Sequence, residues 1–132
     1  MAEQDVAVVR RVYEALGAQD PDRALDQFHE DMEWTPPQDE PDSGTVHGKE
    51  AFLGFLLTWF SSFEDFRPEP IEYIDLGDWI VVPQLIKGRM RGSGAEIVLE
   101  ETHVYRLEGG KIAEVHGYRT RDEAMKAAEP PR

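Results

Sequence analysis

Apolar positions along the chain follow two regimes, helical spacing in the first half and two-residue alternation in the second. Val6, Val9, Tyr13 and Leu16 share one helical face, so Asp5 to Leu16 is expected to form a helix that Gly17 ends. Asp20 followed by Pro21 supplies an N-cap and a first-turn proline, opening a short helix that turns Leu25 and Phe28 inward. Met32 to Thr35 reads as a brief strand. Pro36 to Gly44 holds three prolines and no apolar period, as a loop and candidate lid would. A third helix is expected from Gly48, carrying Phe52, Phe55, Leu56, Trp59, Phe60 and Phe63.

From Phe66 onward the period becomes two. Strands are expected over Ile71 to Leu76, Trp79 to Arg91, Glu96 to Leu107 and Lys111 to Tyr118. Gly77-Asp78, Gly92-Ser93-Gly94 and Glu108-Gly109-Gly110 supply the turns between them. Thr120 and Glu123 form a capping box that starts a terminal helix with Ala124, Met125 and Ala128. Helices followed by hairpin-linked strands give an α+β class, with an antiparallel or mixed sheet bent around the N-terminal helices. Residues 1–132 form one domain on this reading.

The most informative alternation lies in the strand expected over Glu96 to Leu107. One face reads Ile97, Leu99, Glu101, His103, Tyr105, Leu107, apolar apart from a carboxylate and an imidazole side by side. On the preceding strand Ile80, Val82, Ile86, Gly88 and Met90 share a face interrupted by Gln84. A two-residue loop at Ser93-Gly94 would set Gln84 opposite His103 and Ile86 opposite Glu101. The expected site is therefore a His103, Glu101 and Gln84 patch in an aromatic cup, with Tyr13, Trp34, Phe55, Trp59, Tyr105 and Met90 against a ligand. His103 would act as general acid or base, Glu101 would orient its ring, and Gln84 or Tyr105 would donate to a substrate oxygen. The rival reading is a satisfied Glu101–His103 pair inside a cup that only binds.

Composition trims the alternatives. Fourteen basic against 27 acidic residues give a net charge of −13, which repels nucleic acid and anionic membranes. The absence of cysteine excludes disulfides, thiolate metal sites and cysteine nucleophiles. With no long apolar run and no leader-like start, a cytoplasmic protein is expected. No cofactor or metal site is expected, since the strand offers two ligand types without a spaced third. His47 reads as a turn residue, His29 as solvated and His116 as an interface residue, while Arg119 is a candidate at the cavity mouth. Val81, Pro83, Leu85, Val98 and Val104 are apolar on the outer sheet face, interleaved with Lys87, Arg89, Arg91, Glu100 and Arg106, which suggests a homodimer through that face.

Four stretches carry a family resemblance: Val8 to Leu16, Phe28 to Trp34, Val46 to Glu50, and Val104 to Ile112. Taken in order, the chain resembles the NTF2-like superfamily, in its SnoaL-like or ketosteroid-isomerase-like branch. The resemblance implies a conical α+β fold around one deep apolar pocket, usually in a homodimer. It also spans isomerases, epoxide hydrolases, dehydratases, cyclases and adaptors, so it does not select an activity. Aligned on it, the isomerase's base position carries Pro36, which cannot move a proton; its tyrosine position falls on Val12, next to Tyr13. Its protonated-acid position falls on His103. No Asp-Arg-Asp constellation of epoxide-hydrolase type is placed, and His103 is the nearest match to the inward aspartate or histidine of the cyclase branch. A small apolar molecule, handled by isomerase-, dehydratase- or cyclase-type acid–base chemistry or merely bound, is the expected partner; a protein-interaction module is the alternative.

Overall fold

The computed structural model describes residues 2–37 and 44–128. Helices α1 (Ala2–Gly17) and α2 (Pro21–Leu25) come first, followed by strands β1 (Phe28–Thr35) and β2 (Val46–His47) and helix α3 (Lys49–Ser62). Strands β3 (Phe63–Pro70), β4 (Ile74–Asp75), β5 (Ile80–Met90), β6 (Glu96–Glu108) and β7 (Lys111–Tyr118) lead to helix α4 (Arg121–Ala128). The strands build one curved, unclosed sheet in the order β2-β1-β7-β6-β5-β3, with β4 also on β5. Only β1 and β7 pair in parallel, so the described sheet is mixed. The fold is α+β, as the pattern implies.

Local chemistry sets the helix starts. The Asp20 side chain accepts from the Arg23 amide at 3.1 Å, and Thr120 Oγ1 accepts from the Glu123 amide at 3.1 Å. Gly48 opens α3 with φ of 90°, a conformation that costs glycine little, and its amide donates to the Met32 carbonyl at 2.7 Å. That bond ties the start of α3 to β1 and lays the aromatic helix across the sheet.

The strand before Ile71 departs from expectation. Residues 63–70 form β3, whereas of Ile71 to Leu76 only Ile74–Asp75 is strand. Pro68 and Pro70 hide a strand from the pattern, because proline donates nothing to a ladder; an edge strand tolerates them. The β3–β5 register shifts between Glu64 and Arg67, where Asp65 takes φ of 55°. This bulge bends the strand and sets buried Phe66 against Trp59 and Phe60 of α3.

The β5–β6 register also differs. Met90 N–H bonds to the Ala95 carbonyl and Gly94 N–H to the Met90 carbonyl, so four residues, 91–94, make the connection rather than two. Gln84 consequently lies opposite Glu101, Val82 opposite His103 and Ile86 opposite Leu99. The shift is two residues, an even number, so every side chain keeps its expected face.

Two apolar clusters lie on opposite sides of the sheet. The larger joins α1, α2 and α3 to the concave face through residues such as Val9, Met32, Phe52, Val82 and Ile112. The smaller packs α4 on the outer face, with Val81 and Val104 beneath Ala124, Ala128 and Met125. This corrects the expected dimer surface. Val81, Pro83 and Val104 are buried inside the chain itself, and α4 accounts for the apolarity of Val81 and Val104. Val98 stays 63% exposed and Leu85 is half-buried. Among the described residues no helix is long and apolar enough to cross a membrane.

Because α4 seals Val104, Val104→Asp should lower the stability read from urea unfolding by about 3–5 kcal/mol, the cost of an uncompensated buried charge. Leu85→Asp should cost about 1 kcal/mol or less. Equal urea midpoints for the two variants would show that α4 does not close this face.

Candidate functional site

A cavity of about 80 Å³ lies between the helices and the concave face. Helix α1 contributes Val12, Tyr13 and Leu16, and α3 contributes Phe52, Phe55, Leu56 and Trp59 at the spacing of one helical face. Phe66 and Pro68 of β3, Trp34 of β1 and Val115 of β7 extend the apolar wall. Strands β5 and β6 contribute the polar residues Gln84, Glu101, His103 and Tyr105. Every residue expected in the site lines this cavity except Met90. Met90 shares the inward alternation but sits at the end of β5 beside Phe63, where it is 37% exposed and beyond the cavity. Phe66 and Pro68 escaped the sequence reading because their strand did; the Phe66-Pro68-Pro70 alternation was the available signal.

Glu101 is 3% exposed, and both carboxylate oxygens are engaged. His103 Nε2 donates to Oε1 at 3.0 Å and Arg119 Nη1 approaches Oε2 at 3.5 Å. A carboxylate can only accept, so the imidazole carries a hydrogen on Nε2, which in the neutral ring leaves the lone pair on Nδ1. The guanidinium balances a charge that burial would otherwise disfavour. Trp34 holds the opposite side of the ring system, its centroid 5.0 Å from that of His103. Gly117 makes this possible. It pairs with His103 across β6–β7, and a Cβ there would come within 3.1 Å of Trp34 and 2.9 Å of Pro37.

At the α1 side, the Tyr13 and Tyr105 hydroxyls bond to each other at 2.7 Å with their rings edge to face. Burial pushes both phenols above their ordinary value, and for Tyr13 the neighbouring Tyr105 pushes further in the same direction. Both remain neutral donors at physiological pH. Gln84, 1% exposed, contrasts with these satisfied groups: neither Nε2 nor Oε1 has a hydrogen-bond partner among the described residues. The indole Nε1 of Trp34 is likewise buried without a partner.

The other histidines lie elsewhere. His29 Nε2 donates to the Glu108 carbonyl at 2.7 Å, and His47 sits exposed 3.9 Å from Glu33. His116 bonds Glu114 at 3.0 Å on the outer face and meets Trp79 edge-on. Burial would raise the Glu114 carboxyl, but hydrogen bonds from His116 and Arg106 outweigh it and hold it below the usual carboxylate range. The expected lid, Pro36 to Gly44, falls mostly on residues 38–43, outside the described residues. Among the described residues no three metal-ligating side chains are grouped to hold an ion.

The family model for a SnoaL-like domain matches residues 9–115. No curated protein was found to match the chain. Among solved structures, an NTF2-like protein of unknown function from Burkholderia pseudomallei K96243 is similar with 25% identity and a TM-score of 0.78, covering 93% of this chain and 95% of that one. TerC, co-crystallised with polyporic acid, is 21% identical with a TM-score of 0.78 over 93% and 96% of the two chains. A protein with a ketosteroid isomerase-like fold from Catenulispora acidiphila DSM 44928, in complex with trimethylamine, is 15% identical with a TM-score of 0.75 over 94% and 93%.

Two measurements follow from the polar groups. Gln84→Leu should stabilise the unliganded protein by about 1–3 kcal/mol in chemical denaturation, because it removes a buried amide with no partner among the described residues; a loss of stability would mean the amide is satisfied. Tyr13 and Tyr105 titrate near 10.0 when unfolded and higher when folded, so stability should be full below that pH and decline as pH rises toward the folded values. Tyr13→Phe should flatten the decline in urea midpoint above about pH 10. An unchanged slope would place its origin outside the pair.

Proposed function

Starting from the fact that the chain belongs to the SnoaL-like domain family, we propose that its cavity receives a small, mostly apolar molecule on which His103 acts as acid and base. The observation that carries this reading is the 3.0 Å bond from His103 Nε2 to buried Glu101 at the cavity wall. It leaves Nδ1 as the proton acceptor. Glu101 then faces the imidazolium that forms, so the protonated state is stabilised without movement of either side chain. A neutral Tyr13–Tyr105 pair stands ready to donate to a developing oxyanion. Such a set serves proton transfer beside a carbonyl, as in an isomerisation, a dehydration or a ring closure. The polyporic acid and trimethylamine held by two structural relatives are consistent with small-molecule occupancy of this fold.

A second reading, binding without turnover, is favoured by one feature: both oxygens of Glu101 are already engaged, as in a structural ion pair. Under either reading, self-association would use Leu85 and Val98, the apolar residues that α4 leaves uncovered on the outer face.

Native mass spectrometry of the purified protein should reveal a retained small molecule. With that compound, or analogues bearing an enolisable carbonyl, His103→Ala should lower turnover by about 10²–10⁴-fold while binding persists. Glu101→Gln should lower turnover as well, by misorienting the ring. Unaltered turnover in His103→Ala would leave the binding reading alone standing.

A further inference from the structure

The amide of Gln84 is the one polar group of the cavity wall on β5, and the site described so far gives it nothing to do. Its side chain is 1% exposed, lines the cavity, and has both a donor and an acceptor unpartnered. Its nearest cross-strand neighbour by register is Glu101, whose oxygens are turned to His103 and Arg119. Ile86 and Pro68, which line the same cavity from β5 and β3, have no side-chain group that could hydrogen-bond to it. A buried amide costs stability unless something completes it. We propose that Gln84 is the specificity-determining residue of the cavity, and that it reads a neutral ligand edge carrying a hydrogen-bond donor directly beside a carbonyl acceptor. A lactam, a cis amide and a vicinal hydroxy ketone share that edge.

The inference rests on the reading of the cavity as a ligand site and deepens it. The chemical class follows from three constraints. An amide side chain offers Nε2–H and Oε1 a fixed distance apart, so it pairs in a two-bond ring with another adjacent donor and acceptor. Charge argues for neutrality: the described lining residues include no lysine or arginine to balance a carboxylate ligand, and Glu101 is already balanced by Arg119, so an ammonium ligand would lack an unpaired anion. Size sets the rest. A volume of about 80 Å³ is smaller than the roughly 150 Å³ engineered cavity that holds benzene, which sets benzene's six heavy atoms as the upper limit for a ligand. The reading edge and the imidazole are both on the cavity wall, so a carbonyl held by Gln84 would lie within the same enclosure as His103.

Three probes of nearly equal size separate the possibilities: γ-butyrolactam with donor and acceptor, cyclopentanone with acceptor alone, and cyclopentane with neither. Affinities are measured by chemical-shift titration of the full chain and of Gln84→Leu, with Gln84→Met as the second variant should Gln84→Leu not fold. Because the three probes differ in their own hydration, the quantity read is the ratio of lactam to cyclopentanone affinity in each protein. That ratio should fall by about tenfold when the amide is replaced, the value of one lost hydrogen bond. Cyclopentane should bind the variant as well as or better than the original protein. An unchanged ratio overturns the role assigned to Gln84 while leaving the cavity as a ligand site. Failure of all three probes to bind the original protein overturns the ligand site itself, and the role of Gln84 with it.

Discussion

A carboxylate buried to 3% exposure on a central strand is the constraint around which this molecule is arranged. Arg119 approaches one oxygen of Glu101 and His103 donates to the other, the compensation that a buried carboxylate needs. The consequences run outward from that pair. The hydrogen on Nε2 determines which ring nitrogen keeps a lone pair, and the ring plane is settled further by Trp34. Gln84, the cross-strand neighbour of Glu101, has no hydrogen-bond partner among the described residues.

The enclosure around these side chains is built by close approaches. Gly48 fastens the aromatic helix to β1, the bulge at Asp65 sets Phe66 beneath it, and Gly117 leaves room for Trp34 over β7. On the other side of the sheet, Ala124 and Ala128 bring α4 down onto Val81 and Val104. The run Ile80 to Gln84 is therefore buried on both faces. Backbone held on two sides offers little freedom to slide, which suits a strand that must hold an amide opposite a carboxylate.

Much of this was legible in the residues. The helices around Tyr13 and Trp59, the three long strands and the inward face of Glu101, His103 and Gln84 all follow from periodicity, since a side chain's face depends only on its position along a regular element. What failed to show had identifiable causes. Pro68 and Pro70 concealed an edge strand, and with it two cavity residues. Val81 and Val104 carried the apolar signature of an interface, although the partner was the chain's own last helix. Met90 kept the right face but lay too far along the strand.

The alternation along β5 and β6 by itself determined which groups look into the concave side, because parity survives any even shift of register. Only the tertiary structure decided who meets whom. A four-residue connection in place of two moved Gln84 from His103 to Glu101, and Arg119, eighteen residues downstream of Glu101, arrived to occupy the second carboxylate oxygen. Facing is a local property of the backbone, whereas partnership depends on loop geometry and on elements distant in the chain.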